Sequence, residues 1–262
     1  MSEIKRGLGW KPDAPDNRDL MLAIDTSAVP LKSVYLFDRK NSPPIYDQGQ
    51  LGSCVGQGVA ALCQFILMNK SPESPNPDAK LFFPSALFVY YYAREAIGTV
   101  DIDSGATIRD GIKVVAKKGV PSIEKWPYNI SQFAVEPSQE ARNQALSFQT
   151  LKYYRIDRSN KKNLVGALLK GFPIVFGFRV YESFMDMDVA ETGVVPMPKK
   201  GERLLGGHCA VIWAYNKEGD YFLVRNSWGE SWGLNGYFKM PADYITDGRL
   251  SSDFWVVESM IG

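Results

Sequence analysis

The chain has one histidine and three cysteines among 262 residues, and each scarcity closes a class of chemistry. A single imidazole excludes HExxH and every two-histidine zinc site, so any imidazole chemistry runs through His208. Cys54, Cys63 and Cys209 are too few for a four-thiolate zinc site, and their odd number leaves at least one thiol unpaired in a monomer. Excess charge is lacking too. Thirty Lys and Arg against 29 Asp and Glu leave a formal charge of +1, which gives no electrostatic reason for a nucleic-acid partner. Long apolar runs are missing: the richest, LFFPSALFVYYYA from Leu81, is broken by Pro84 and Ser85, so no membrane association is expected. Residues 1–13 contain no signal-like apolar core, which points to a cytoplasmic protein, export by another route aside. Gly-rich nucleotide loops in a strand-to-helix context are also absent, and no cofactor or metal is expected.

What is present is ordinary globular composition, 45 % hydrophobic and 23 % charged, in a chain long enough for one domain or two lobes. The first stretch, to about Ser27, is polar and turn-rich, with turn residues at Lys11 to Asp13 and at Asp16 and Asn17. Residues 29–36 suit an extended segment, and Ser42, Pro43 and Pro44 force a turn. From Cys54, the apolar residues Val55, Val59, Leu62, Cys63, Ile66 and Leu67 recur at helical steps and predict one buried face. Lys70 to Lys80, with three prolines, reads as an irregular connection. Further helices are expected at Ser85–Ala96, Thr107–Lys118, stopped by Gly119, and Lys161–Lys170. After about Phe133 the character changes to short β-branched and aromatic runs: Phe172–Val180, Cys209–Tyr215, Tyr221–Arg225 and Tyr237–Met240. The pattern predicts an α+β fold, a helical lobe joined to a mainly antiparallel β lobe.

Three segments carry the chemistry: DQGQLGSCVGQG (47–58), GGHCAV (206–211) and VRNSWGESWGLNGY (224–237). A glycine-containing turn leads into a helix whose first turn holds Cys54, so the helix dipole and unpaired amides favour thiolate and can face the oxygen of an attacked carbonyl. Gln48 adds a side-chain donor if that loop folds back. His208, at the start of a strand, can take the thiol proton and return it to a leaving amine. A thiolate and an imidazolium would stabilise one another. Asn226, where a hairpin strand ends, can accept one imidazole N–H and leave the other nitrogen facing sulfur, with Trp228 covering that bond. Taken singly, each has a plain structural reading: a buried small thiol, a solvated turn glutamine, a strand-edge histidine, a capping asparagine.

Together these segments resemble the active-site patterns of papain-like cysteine peptidases, QGxCGSCW, a histidine followed by Ala-Val, and NSWGxxWGxxGY. The style is that of bacterial members with a short amino-terminal extension. Leu51 stands where secreted relatives carry a disulfide cysteine, and Val55 replaces the usual tryptophan. The resemblance implies a two-lobe fold with a helical lobe, an antiparallel β-barrel-like lobe and the cleft between them. Residues 1–28 would be an extension or short prosegment that restrains the enzyme as a zymogen. The peptidase domain would be 29–262, its helical lobe about 46–130 and its β-rich lobe about 131–262 plus 29–45. It implies a monomeric cysteine endopeptidase, with Gln48 and the Cys54 amide as oxyanion donors, Cys54, His208 and Asn226 as the catalytic set, and a peptide or protein as substrate. Cleft contacts fall to Gly105, Ala106, Ile108, Gly177, Cys209 and Trp228, and the side-chain pocket reads as neutral, without an identifiable acidic residue. A silent peptide- or protein-binding scaffold, or a thiol acyltransferase or ligase on the same fold, are the alternatives.

Overall fold

The computed structural model describes residues 6–36, 43–69 and 82–261. The Lys70–Lys80 connection and the Ser42 end of the predicted turn lie outside those residues. Three helices lead: α1 (Cys54–Asn69), α2 (Ala86–Glu95) and α3 (Ile108–Lys118). The latter two are capped as their sequences suggest. Ser85 Oγ accepts from Phe88 N at 3.2 Å and Thr107 Oγ1 from Asp110 N at 3.1 Å, contacts that stabilise a helix start by about 1 kcal/mol each. Gly119, at φ 77°, ends α3 in a conformation that favours glycine. α1 departs from the single-face expectation: it is buried on every side from Cys54 to Leu67, as befits a central helix. Its glycines permit this. A Cβ at Gly56 would stand 2.4 Å from Ala86 O of α2, and one at Gly58 would stand 3.1 Å from Cys209 Sγ of the sheet.

The remaining chain supplies α4 (Gln139–Ala145), α5 (Lys161–Leu169), α6 (Met187–Thr192) and α7 (Ala242–Thr246), with strands β1 (Val34–Tyr35), β2 (Thr150–Arg155), β3 (Ile174–Tyr181), β4 (Leu204–Asn216), β5 (Tyr221–Arg225), β6 (Tyr237–Pro241) and β7 (Ser251–Met260). All strand pairs are antiparallel, in the order β2-β7-β3-β4-β5-β6, with β1 beside β4. The two-lobe α+β arrangement stands, but the barrel-like β lobe is corrected: β2 and β6 end an open sheet and do not pair with each other. Closure is unnecessary because irregular chain already satisfies both edges. On β2, Leu22 N donates to Arg155 O and Arg155 N to Leu20 O, both at 2.8 Å; on β6, Lys239 N donates to Gly193 O at 2.7 Å.

Strand alternation then divides the interior in two. On β4, Cys209, Val211 and Trp213 join the cluster built on α1, α2 and α3, whereas Ala210 and Ile212 join a second cluster with Phe176, Phe178, Phe222 and Trp228. His208 has the even-numbered phase, so its ring belongs beside Phe178 and Trp228. No helix among the described residues is long and apolar enough to cross a membrane.

Candidate active site

Cys54 is the first residue of α1 and is fully buried. Its sulfur is approached by the backbone N–H groups of Cys209, Gly9 and Val55. The first comes from β4 and the second from the amino-terminal arm, so the thiol lies where helix, sheet and arm meet. Burial nevertheless dominates, pushing the thiol up to about 11.

His208 sits between two rings, edge-to-face with Phe178 at 5.5 Å and tilted over Trp228 at 4.8 Å between centroids. Its Nε2 is 2.8 Å from Asn226 Oδ1, and the same oxygen accepts from Ser227 N at 2.9 Å. Because that main-chain donor identifies the atom as oxygen, Nε2 carries the proton and Nδ1 is the bare nitrogen. Nδ1 is buried with no hydrogen-bond partner, so it shares no bond with the thiol in this state. Burial lowers the imidazole to about 4, with the Asn226 bond opposing. Burial thus works against the charged form of both the thiol and the imidazole.

Gln48 is fully buried and its amide is fixed at both ends. Oε1 accepts from Ser227 Oγ at 2.6 Å, which turns Nε2 toward Leu51 O at 2.9 Å and Gly7 O at 3.0 Å. Its carbonyl accepts from Tyr128 OH at 2.9 Å, and that hydroxyl lies 2.5 Å from Ser53 Oγ.

The arm threads between the lobes as an extended chain. Gly7 N donates to Gly49 O at 3.2 Å, Trp10 N to Gly207 O at 3.0 Å, and Lys11 N to Ala106 O at 3.0 Å, while Gly9 O accepts from Ala106 N at 2.8 Å. A Cβ at Gly9 would lie 1.8 Å from Gly52 O, so only glycine passes there. Beyond the cleft, Asp13 N donates to Asp253 Oδ2 at 2.8 Å and Asp13 Oδ2 accepts from Trp255 Nε1 at 2.8 Å. Asp19 takes Arg109 Nε at 3.0 Å and Arg155 Nη1 at 2.9 Å.

Of the residues marked in the sequence, Gln48, Cys54, Gly105, Ala106 and Gly177 all meet the arm or lie within its path. Ile108 and Cys209 share the apolar cluster that takes up Trp10, with Cys209 turned toward Gly58 of α1. Trp228 stands apart from that group, over His208 in the second cluster. The sequence reading missed Ser227, Tyr128, Gly207 and Asp253, and the partners of Trp10. Ser227 and Gly207 lay inside quoted motifs, each beside a residue already marked; Tyr128 and Asp253 carried no local signal.

Known proteins resemble this chain in sequence and fold. The sequence model described as papain family cysteine protease matches residues 103–253. An uncharacterized peptidase C1-like protein of Acanthamoeba polyphaga mimivirus is 38 % identical over 282 residues, covering 99 % of this chain and 89 % of that protein. Cysteine proteinase 3 of Dictyostelium discoideum is 26 % identical over 205 residues, covering 75 % of this chain and 55 % of its own length. The crystal structure of xylellain, a cysteine protease from Xylella fastidiosa, is similar with a TM-score of 0.87 at 35 % identity, over 99 % of this chain and 98 % of that one.

Proposed function

Because the chain belongs to the papain family of cysteine proteases and is a cysteine peptidase acting on peptides or proteins, we propose that Cys54 is its nucleophile, His208 its proton carrier, Asn226 the residue that orients the imidazole, and Gln48 with the Cys54 amide its oxyanion donors. The observation that carries this reading is the His208 Nε2 to Asn226 Oδ1 contact at 2.8 Å, which leaves Nδ1 bare and unpaired. Once the arm lifts and water or substrate enters, the bare nitrogen takes the Cys54 proton, and the sulfur lone pair attacks the scissile carbonyl. Charge moving onto that oxygen is received by Gln48 Nε2, already held by Ser227, and by the amides of the first helical turn. The imidazolium then gives its proton to the departing amine as the C–N bond breaks, and water, deprotonated by the same nitrogen, hydrolyses the thioester.

The arm holds this machinery latent. It gives the sulfur an N–H, from Gly9, and gives Gln48 the carbonyl of Gly7, two residues earlier. Attack needs one carbonyl group to serve both partners, its carbon at the sulfur and its oxygen at the donors, and the arm separates these roles. It therefore fills the cleft without presenting a cleavable bond.

Replacing Cys54 with alanine is expected to lower kcat/KM by about four orders of magnitude or more, whereas Cys63→Ala leaves it near the parent value, since Cys63 is enclosed in α1. Full hydrolysis by the Cys54→Ala variant would overturn the assignment. An activity-based thiol probe should label the intact chain slowly and a Gly9→Ala chain rapidly; equal labelling rates would remove the latency reading.

A further inference from the structure

The peptide group joining Leu51 to Gly52 is hydrogen-bonded on both of its edges. Its oxygen accepts from Gln48 Nε2 at 2.9 Å. Its N–H donates to the Asp103 carboxylate, 3.1 Å from Oδ1 and 2.9 Å from Oδ2. A peptide group is planar, so its oxygen and N–H turn together and a partner on one edge sets the direction of the other. Donation to a carboxylate also makes the oxygen a stronger acceptor.

Gln48 Nε2 carries two hydrogens. Leu51 O takes one, and the other is aimed at Gly7 O of the arm at 3.0 Å. At the far end of the same amide, Oε1 is held by Ser227 Oγ at 2.6 Å. With both ends fixed, the second hydrogen has one direction, and a carbonyl oxygen that takes the place of Gly7 O meets it without reorganisation.

Asp103 is itself placed from outside the loop it steadies. Tyr90 of α2 is fully buried; its hydroxyl donates to Asp103 Oδ1 and accepts from Gly105 N at 3.1 Å. One turn further along α2, Arg94 Cζ lies 4.3 Å from the centre of the Tyr90 ring, and its guanidinium donates to the carbonyls of Val100 and Ile102. These bonds fasten the turn that presents Asp103. Glycine at position 52 leaves room for the carboxylate, since a Cβ there would stand 3.0 Å from Oδ1. All three cysteines are free, so no disulfide shares the task. Gly52 and Tyr90 lie outside the arm, and their bonds to Asp103 persist when it leaves. A carboxylate near a developing oxyanion is unfavourable by charge alone, but Asp103 is exposed, and solvent screens that cost.

We propose that Asp103 is a positioning residue for peptide hydrolysis: through the Leu51–Gly52 peptide it holds Gln48 Nε2 on the line that receives the oxyanion. The proposal rests on the peptidase reading above.

The test uses the full-length chain carrying Gly9→Ala. Adding Asp103→Ala should lower kcat for a peptide about thirtyfold and leave KM within about twofold, because the lost restraint acts on the transition state. Alkylation of Cys54 by iodoacetamide uses the thiol and the imidazole but develops no oxyanion, so its rate should stay within about twofold. Asp103→Asn keeps an oxygen for the Gly52 amide and should recover most of the lost kcat. Tyr90→Phe, which frees the carboxylate to turn, should lower kcat about fivefold and add little to Asp103→Ala. An unchanged kcat in Asp103→Ala would overturn the proposal. So would hydrolysis and alkylation falling together, which reduces Asp103 to a general support of the fold. Should the Gly9→Ala chain cut no peptide, it is the peptidase reading that has failed. The placement is then read from hydrogen exchange in the otherwise unaltered chain: Asp103→Ala should speed exchange of the Gly52 amide about tenfold or more, and unchanged exchange would count against it.

Discussion

From Gly7 to Lys11 the arm is held by main-chain hydrogen bonds to both lobes and by one buried indole, whereas from Asp13 to Leu22 it is held by carboxylates, guanidiniums and a strand edge. The first set of contacts can be copied by almost any extended peptide. The second belongs to this arm alone. On the latency reading proposed above, generic occupancy of the cleft is joined to an anchor outside it, and a substrate competes for the first without access to the second.

The largest disturbance should come from the cleft stretch. Trp10→Ala removes a buried indole worth about 3–5 kcal/mol and should speed native alkylation of Cys54 by iodoacetamide about a hundredfold or more. An unchanged rate would mean that the anchor holds the arm unaided. Next in size is Asp19→Ala, which leaves Arg109 and Arg155 without their shared carboxylate. Loss of these charge-assisted bonds, about 2 kcal/mol, should raise the same rate about thirtyfold. A smaller response would place the anchor's strength in Asp13 and the β2 edge.

Acid should pull the two stretches in opposite directions. Under the arm, burial raises Asp253 to about 6, with the charge of Asp13 adding to it, and burial raises Asp13 as well. Docking therefore takes up protons at the anchor; this contribution favours the docked arm at low pH and is lost as pH rises through about 6. His208 is lowered to about 4 by burial beside Phe178 and Trp228, so folding expels a proton there, and its contribution to stability is present above the ordinary histidine range and lost as pH falls toward 4. Asp19 acts with His208: burial raises it, but the Arg109 and Arg155 bonds outweigh that, so its contribution fades only in stronger acid. The parent should show a shallow profile between pH 4 and 6.5, whereas Asp253→Asn should release the arm faster as pH falls, by about tenfold across that window. The measurement is limited proteolysis of the arm, normalised to Gly9→Ala at each pH. A parallel shallow profile in Asp253→Asn would break the opposition.

Salt should have the smallest effect. Moving from low ionic strength to about 0.5 M should speed alkylation a few-fold in the parent and hardly at all in Asp19→Ala, because screening reaches the anchor and not the indole.

The candidate site residues stood out in the sequence because they sit in short contiguous motifs and because one histidine left no choice. Helices α2 and α3 were legible from Ser85, Thr107 and Gly119, whose capping chemistry is local. Strands β2 and β7 were not. Lys152 interrupts the apolar pattern of TLKYYR, and the bulge at Asp253 breaks the alternation of SSDFWVV. The open sheet was illegible for a related reason: strand edges are satisfied by Leu20, Leu22 and Gly193, which carry no strand pattern of their own. Asp13 read only as a turn residue, and Asp19 and Asp253 carried no local signal; folding brings Asp13 and Asp253 together across nearly the whole chain.

The bonds of Leu20 and Leu22 to Arg155 give the arm a second attachment behind its anchor. When Gly7 to Lys11 lifts off the thiol, this clip keeps the segment within a few residues' reach, at an effective concentration on the order of millimolar. Dilution cannot free the enzyme, and a weakly binding peptide must be abundant to displace the arm. If the arm restrains the enzyme as proposed, lasting activation calls for a cut between the cleft segment and the clip, a covalent event that turns a reversible competition into a one-way timer.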